Sequence, residues 1–292
     1  MTRSVFNSCI AIMVSCFNRK EKTLSCLKSV FSQADSGLTI SIYLMDNGSD
    51  GTSEEVTKTY PEVIILKGDS NLYWAGSMRR AWQYALESTT EYDFFLLLND
   101  DTILTETALK DLLNDYEKLN REAILIGSTL DPQTNIISYG GYKVMNKYGS
   151  DIKRVIPNFD KPLKCDLGNG NIMFVPGEVV KKIGILSDLF THGIADYDYT
   201  LRAKKNGIPS YIGSNYSGFC TNDHGNKWWN AKQHPLKERI RKLYDVKGLA
   251  YREYLLYLRL YFPYYLPQAW FMLWLKTLFP FLWEKLKKDR AE

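Results

Sequence analysis

The sequence lacks both glycine-rich signatures of a phosphate cradle. Neither a Walker-type loop nor a G-x-G-x-x-G run occurs in its 292 residues, so any phosphate it handles must meet side chains or a cation. It has no C-x-x-C pair. Cys9, Cys16, Cys26, Cys165 and Cys220 are odd in number and scattered, which argues against a disulfide framework and reads as reduced thiols in a cytosolic protein. No internal repeat or low-complexity segment is present, which excludes a solenoid. Nor is there an apolar run near the roughly twenty residues of a membrane span. Residues 8–17 are apolar, but a single Arg precedes them and no small-residue cleavage site follows. They run straight into Asn18-Arg19-Lys20, so a buried first strand is the better reading than a signal peptide.

Hydrophobic content of 45% with 24% charged residues fits a folded chain with one large domain and an appendage. The net charge of +4 hides an asymmetry: residues 235–292 hold twelve Lys/Arg, six Asp/Glu and fourteen aromatics, so this segment is about +6 and the remainder about −2. That change of composition places a boundary near Pro235, dividing the chain into 1–234 and 235–292. Charge of this size and placement does not suggest a nucleic-acid partner.

The first half alternates short apolar runs with helical patterns. Strands are expected at 10–16, 40–45, 63–66, 94–98 and 123–126. Helices are marked by Leu24, Leu27, Val30 and Phe31, by Met78, Trp82, Ala85 and Leu86, and by Leu109, Leu112, Leu113 and Tyr116. Such alternation predicts an α/β fold with a mostly parallel sheet flanked by helices. From about Ile136 the pattern changes: Tyr139-Gly140-Gly141-Tyr142 and Tyr148-Gly149-Ser150 read as turns. A strand is expected at 171–175, a helix starting on Pro176, and a second helix at 196–205 stopped by Asn206-Gly207.

The most informative stretch is the run Phe94 to Leu98 ending in Asn99-Asp100-Asp101. In open α/β sheets ligands bind outside the carboxyl ends of the strands, and two acids delivered there can hold a divalent cation against a phosphate. A solvated acidic turn is the alternative. Asp46 follows the second strand at the same edge and can accept from a ribose or base, or merely close an Asx turn. Asn71, Gly76, Arg79 and Arg80 follow the third strand, where a glycine, a helix start and arginine suit phosphate oxygens. Asp196 and Asp198 open a helix. Two acids there exceed what capping needs, and one can serve as general base. Asn222-Asp223-His224-Gly225 places a histidine beside an acid, either a structural residue or a ligand completing a metal site.

In these runs the chain resembles the family 2 glycosyltransferases, inverting nucleotide-sugar enzymes with the GT-A fold. The resemblance covers roughly residues 8–230. It rests on Val14-Ser15-Cys16-Phe17-Asn18-Arg19, the turn from Asp46 to Thr52, Asn71 with Gly76, Leu97-Leu98-Asn99-Asp100-Asp101, Asp196-Tyr197-Asp198 with Arg202, and His224. The runs look closest to the branch that builds bacterial surface polysaccharides, including rhamnosyl- and galactosyltransferases. The resemblance implies a nucleotide-sugar-binding part at about 8–130 and an acceptor side at about 131–234. Ser15, Phe17 and Asp46 would hold the nucleoside of a UDP- or dTDP-sugar, and Asn18, Arg19, Asn71, Gly76, Arg79, Asn99 and Asp100 the rest of the donor. Asp101 and His224 would bind Mn²⁺ or Mg²⁺, Asp196 would be the catalytic base, and Asp198, His192 and Trp74 would meet a glycan or lipid-linked acceptor. Position 99 is Asn where many members have Asp, and position 195 is Ala where an acid usually precedes the base.

Two rivals remain at this point. A sugar nucleotidyltransferase also uses a parallel sheet and acidic metal ligands, but a glycine-rich basic loop is expected after its first strand, and 15–20 contains no glycine. The other is a catalytically inactive carbohydrate-binding protein on the same fold. In the tail, Tyr251, Tyr254, Leu255, Leu258, Tyr261 and Phe262 recur at helical spacing, and an aromatic run follows to Trp283 with Lys285, Lys287, Lys288 and Arg290 behind it. It suits a helix lying on an anionic bilayer, peripheral on the inner face of the cell membrane. The alternative is an appendage packed on protein or in a homodimer.

Overall fold

A computed structural model describes residues 7–33, 37–120, 122–146, 148–149, 151–222 and 234–283. The chain opens with β1 (Cys9–Cys16), α1 (Lys20–Phe31), β2 (Thr39–Asp46), α2 (Thr52–Thr59) and β3 (Ile64–Lys67). It continues through α3 (Tyr73–Glu87), β4 (Phe94–Asn99), β5 (Ile103–Leu104), α4 (Ala108–Lys118) and β6 (Ile124–Leu130). Five short strands follow: β7 (Ile137–Tyr139), β8 (Gly141–Val144), β9 (Ile152–Val155), β10 (Leu163–Cys165) and β11 (Leu167–Gly168). Then come β12 (Ile172–Pro176), α5 (Gly177–Ile183), α6 (Ala195–Lys205) and β13 (Ser210–Phe219), and finally α7 (Leu236–Tyr244), α8 (Tyr251–Tyr261) and α9 (Leu266–Leu278).

The apolar pattern explains the layers. Along β1, Ile10, Ile12 and Val14 join one core cluster, while Ala11 and Met13 join another, as the period of two requires. Cys26, Leu27 and Val30 of α1 and Leu109, Leu112, Leu113 and Tyr116 of α4 cover the first face. Met78, Ala81, Trp82 and Ala85 of α3, with Tyr199 and Ala203 of α6, cover the second. Both faces of β4 are thus sealed, and Phe94 to Leu98 are all buried. At about 2–3 kcal/mol per fully buried large apolar side chain, this strand is an anchor of the sheet.

The main sheet runs β10-β13-β6-β12-β4-β1-β2-β3, with β5 on β13 and β7 on β6. The α/β sheet flanked by helices is as expected, and in detail it is mixed rather than purely parallel. β1 pairs parallel with β2 and β4, β2 with β3, and β6 with β13. β12 lies antiparallel to both β4 and β6, and β5, β7 and β10 are antiparallel too. Buried apolar runs reveal strands but not their direction; here β6 ends at the edge where β12 begins, so the chain turns back into the sheet from the same edge. A second sheet orders β11-β8-β9. Pro176 ends β12 and caps α5, so that helix begins at Gly177 rather than on the proline. α6 stops at Asn206 and Gly207, whose φ of +79° favours glycine.

The chain forms two compact units, residues 1–144 with 153–222 and residues 145–152 with 223–292. In the second, α7, α8 and α9 surround Leu243, Tyr251 and Leu273, and the Trp274 indole donates to the Tyr251 hydroxyl at 3.0 Å. Among the described residues no helix is long and apolar enough to cross a membrane.

Candidate active site

Register alone assembles one edge of the sheet. Ser15 lies across from Asn99, and Cys16 across from Asp46, so β1, β2 and β4 end together. Because β12 is antiparallel to β4, its beginning arrives where β4 ends, and the Asn99 N–H donates to the Asn171 carbonyl at 3.1 Å.

At the end of β4, Asp100 is fully buried and Asp101 only partly exposed. The Arg19 guanidinium forks between them, one amino group on Asp100 and the other 2.7 Å from Asp101 Oδ2. The Thr23 hydroxyl adds a bond to Asp100 at 3.3 Å, and the Cys220 thiol approaches Asp101 Oδ1 at 3.6 Å. Burial pushes the Asp100 carboxyl up to about 7; Arg19 opposes this and Asp101 reinforces it. A 460 Å³ cavity adjoins Asp101 and Cys220.

Asp46 is 2% exposed. Its Oδ1 accepts from the Gly48 N–H at 2.9 Å and the Cys16 thiol at 3.5 Å, while Oδ2 accepts from the Ser53 hydroxyl and the Lys67 ammonium at 3.1 Å. Burial raises its pKa, but Ser53, Gly48 and Lys67 together outweigh burial and hold the carboxyl below its usual range. The neighbouring turns are tied as well: Asn18, at φ +52°, accepts from the Ser49 N–H at 2.8 Å. Ser15 is nearly buried and Phe17 exposed beside this corner.

Asp196 opens α6 at 7% exposure. Its Oδ2 accepts from the Gly170 N–H at 2.9 Å and its Oδ1 from the Tyr197 N–H at 2.8 Å. Burial nevertheless dominates these donors and pushes the carboxyl up to about 7. A Cβ on Gly170 would fall 2.4 Å from the Trp74 ring and 3.5 Å from Asp196 Cβ. The same indole donates to Asn99 Oδ1 at 2.7 Å. Trp74 therefore lies between the acidic strand end and Asp196. It is delivered there by Tyr73, whose φ of +47° is strained for a residue with a side chain.

The remaining candidates are placed as follows. Asp198 is buried and pairs with Arg202 at 3.7 Å, and Arg202 also donates to the carbonyls of Ile183 and Ile185. Arg79 donates to the carbonyls of Ser187 and Phe190 at 2.7 and 2.8 Å, fastening the loop that leads to α6. His192 lies on that loop with its ring 6.4 Å from Tyr73, and the adjacent Thr191 carbonyl accepts from the Ala75 N–H at 3.1 Å. Asn71 is exposed in a turn closed by Asp69. Gly76 is buried inside α3, where a Cβ would meet only ordinary contacts. His224 lies outside the described residues. Sequence reasoning missed Gly170, Cys220 and Lys67. For Gly170 a signal existed: Gly168-Asn169-Gly170-Asn171 places two glycines immediately before a buried strand.

Among the described residues no group of three or more His, Cys, Asp or Glu is arranged to hold a metal ion. The donor set still suits a hard cation. Asp100 and Asp101 are adjacent carboxylates whose surplus negative charge is met by one guanidinium, and oxygen donors of this kind suit Mg²⁺ or Mn²⁺. Asn99 is instead engaged by Trp74, which fits an amide at that position.

A parallel amino-terminal half joined to a half of mixed strand direction, with acids gathered at the strand ends, is the GT-A fold. The family described as Glycosyl transferase family 2 matches residues 11–171, and the chain belongs to it. S. aureus TarS 1–349 superposes with a TM-score of 0.51 at 12% identity, over 80% of this chain and 65% of that one. This chain thus spans less than two thirds of the TarS fragment. The mannosyltransferase PcManGT from Pyrobaculum calidifontis, in complex with GDP-Man and Mn²⁺, gives 0.50 at 13% identity over 89% and 72%. GalNAc-T7 with UDP, GalNAc and Mn²⁺ gives 0.56 at 11% over 75% and 45%. Identities this low speak for the fold alone. No curated protein sequence matches the chain significantly.

Proposed function

We propose that the protein is an inverting transferase that moves a sugar from a nucleoside-diphosphate sugar to a glycan or lipid-linked glycan in bacterial surface-polysaccharide synthesis. The observation that carries this reading is the chain of contacts from Asn99 through Trp74 and Gly170 to Asp196. It sets a buried, proton-hungry carboxyl beside an acidic strand end. Asp196, with its pKa pushed up to about 7, takes the proton of an acceptor hydroxyl. The hydroxyl oxygen attacks the anomeric carbon from the face opposite the diphosphate, whose bond to that carbon breaks, and configuration inverts. Asp101 with His224 would hold Mn²⁺ or Mg²⁺, which supplies positive charge to the leaving diphosphate. Ser15, Phe17 and Asp46 hold the nucleoside, UDP or dTDP. Asn18, Arg19, Asn71, Gly76, Arg79, Asn99 and Asp100 shape the rest of the donor site. Asp198, His192 and Trp74 form the acceptor side. Mn²⁺ or GDP-Man in the structural relatives supports the donor class and the metal.

We place the enzyme on the cytoplasmic face of a membrane, with 1–234 catalytic and 235–292 its appendage. The absence of any disulfide among the five cysteines supports a reducing compartment. The test is diphosphate release from a panel of UDP-, dTDP- and GDP-sugars with Mn²⁺ or Mg²⁺. Turnover of one donor that is lost in Asp101→Ala with an unchanged melting profile is expected. Pyrophosphate formed from a nucleoside triphosphate and a sugar phosphate would establish the nucleotidyltransferase instead, and no turnover of any donor would favour the inactive binding protein.

A further inference from the structure

In the second unit, α8 and α9 enclose a groove of 760 Å³ whose walls include Leu255, Leu256, Trp270 and Phe271 and whose rim carries Arg252 and Arg259. The two arginines are seven residues apart on α8, hence on one face and about 10 Å apart along the axis. Neither has a side-chain partner among the described residues. The apolar wall opens to water: Trp270 is 49% and Phe271 57% exposed, and further along the chain Leu278, Phe279, Phe281 and Leu282 are exposed as well. Two unpaired guanidinium groups over an apolar slot match a ligand with an anionic head and hydrocarbon tails.

A second copy of the chain fits poorly. The groove lining contains no carboxylate, so self-association would set four arginines against one another with nothing to neutralise them. A small soluble anion would leave the apolar walls wet. We propose that this groove seats on an anionic phospholipid surface, Arg252 and Arg259 meeting lipid phosphates while Trp270 and Phe271 enter the headgroup–acyl boundary. The proposal deepens the placement at a membrane face. It does not rest on the transfer reaction, because vesicle binding is measured without donor and the two readings can fail separately.

The experiment is cosedimentation of the full-length protein with phosphatidylglycerol–phosphatidylcholine vesicles and with pure phosphatidylcholine vesicles. Binding to the anionic vesicles only, weakening as salt rises, is expected. The double variant R252Q/R259Q should bind them roughly 30-fold more weakly, at about fivefold per charge, whereas R252K/R259K should retain most binding. W270A/F271A should lose binding even at low salt. Equal binding to both vesicle types, or undiminished binding by R252Q/R259Q, overturns the proposal. So does a shift from dimer to monomer in W270A/F271A with vesicle binding intact, which would make the groove an interface between copies. The wild-type salt and lipid dependence decides the matter if a variant fails to fold.

Discussion

Asp196 and Asp198 stand two residues apart on the same helix and meet different surroundings. Asp196 meets neutral donors, the backbone N–H groups of Gly170 and Tyr197 and the Asn169 side chain, and burial outweighs them and raises its pKa to about 7. Asp198 faces Arg202, which in turn holds two carbonyls before α6. Under the proposed function the first environment suits a base and the second a brace. Asp196→Asn should therefore bind donor nearly normally yet lose roughly two to four orders of magnitude in transfer. The wild-type acid limb of kcat/KM should lie near pH 7, where the carboxyl ionises, and should vanish in the variant. Asp198→Asn should keep most of its transfer rate while melting at a lower temperature, because the buried Asp198–Arg202 ion pair, 3.7 Å across, loses one of its charges. Rates, donor affinity and melting curves of both variants check this. A large rate loss in Asp198→Asn with Asp196→Asn nearly active would move the base two residues on. The sequence singled out both acids but could not separate them, because the deciding neighbours are distant: Gly170 is 26 residues from Asp196.

At the scale of elements, the sequence revealed where strands lie far better than how they run. Phe94 to Leu98 are legible as a doubly buried strand because no polar residue interrupts them, and the helices on both faces follow from apolar spacing. The antiparallel entry of β12 was not legible. Its apolar run would read alike in either direction, and its orientation is decided by pairing with β4. Yet that reversal puts Gly170 at the strand ends. Gly170→Ala tests whether the position matters for chemistry. The added methyl would fall 2.4 and 2.5 Å from two atoms of the Trp74 ring, so the indole must move and its bond to Asn99 must break or stretch. The expected outcome is a transfer rate at least tenfold lower, with a blue- or red-shifted tryptophan emission and intact secondary structure. Wild-type kinetics in a folded Gly170→Ala protein would mean that Trp74 has no part in aligning the site.

Across the whole molecule, buried carboxyls pull the pH dependence of stability in opposite directions. Burial raises Asp46 and Asp166, but Ser53, Gly48 and Lys67 outweigh it for the first, and Lys204 and the Val144 N–H for the second, so both end below the usual range. A depressed carboxyl stabilises when ionised, and that contribution is present above about pH 4 and lost as pH falls further. Asp196 has the opposite sign. Its pKa of about 7 means that the native state keeps a proton the unfolded chain has released. Its contribution is complete below about pH 4 and disappears as pH rises through 7. Asp100, raised to about 7 for the same reason of burial, acts in the same direction. The unfolding midpoint should therefore peak between about pH 4 and 6 rather than near neutrality, with a descending limb from 5 to 7. Asp196→Asn replaces the titrating group by a neutral amide and should flatten part of that limb while leaving the acid side, set by Asp46 and Asp166, unchanged. Melting curves at half-unit intervals of pH measure both limbs. A wild-type midpoint that climbs from pH 5 to 7, or a variant whose descent is as steep as the wild type's, would show that Asp196 is ionised in the folded protein throughout, and the carboxyl would then lack the affinity for a proton that base catalysis near neutrality requires.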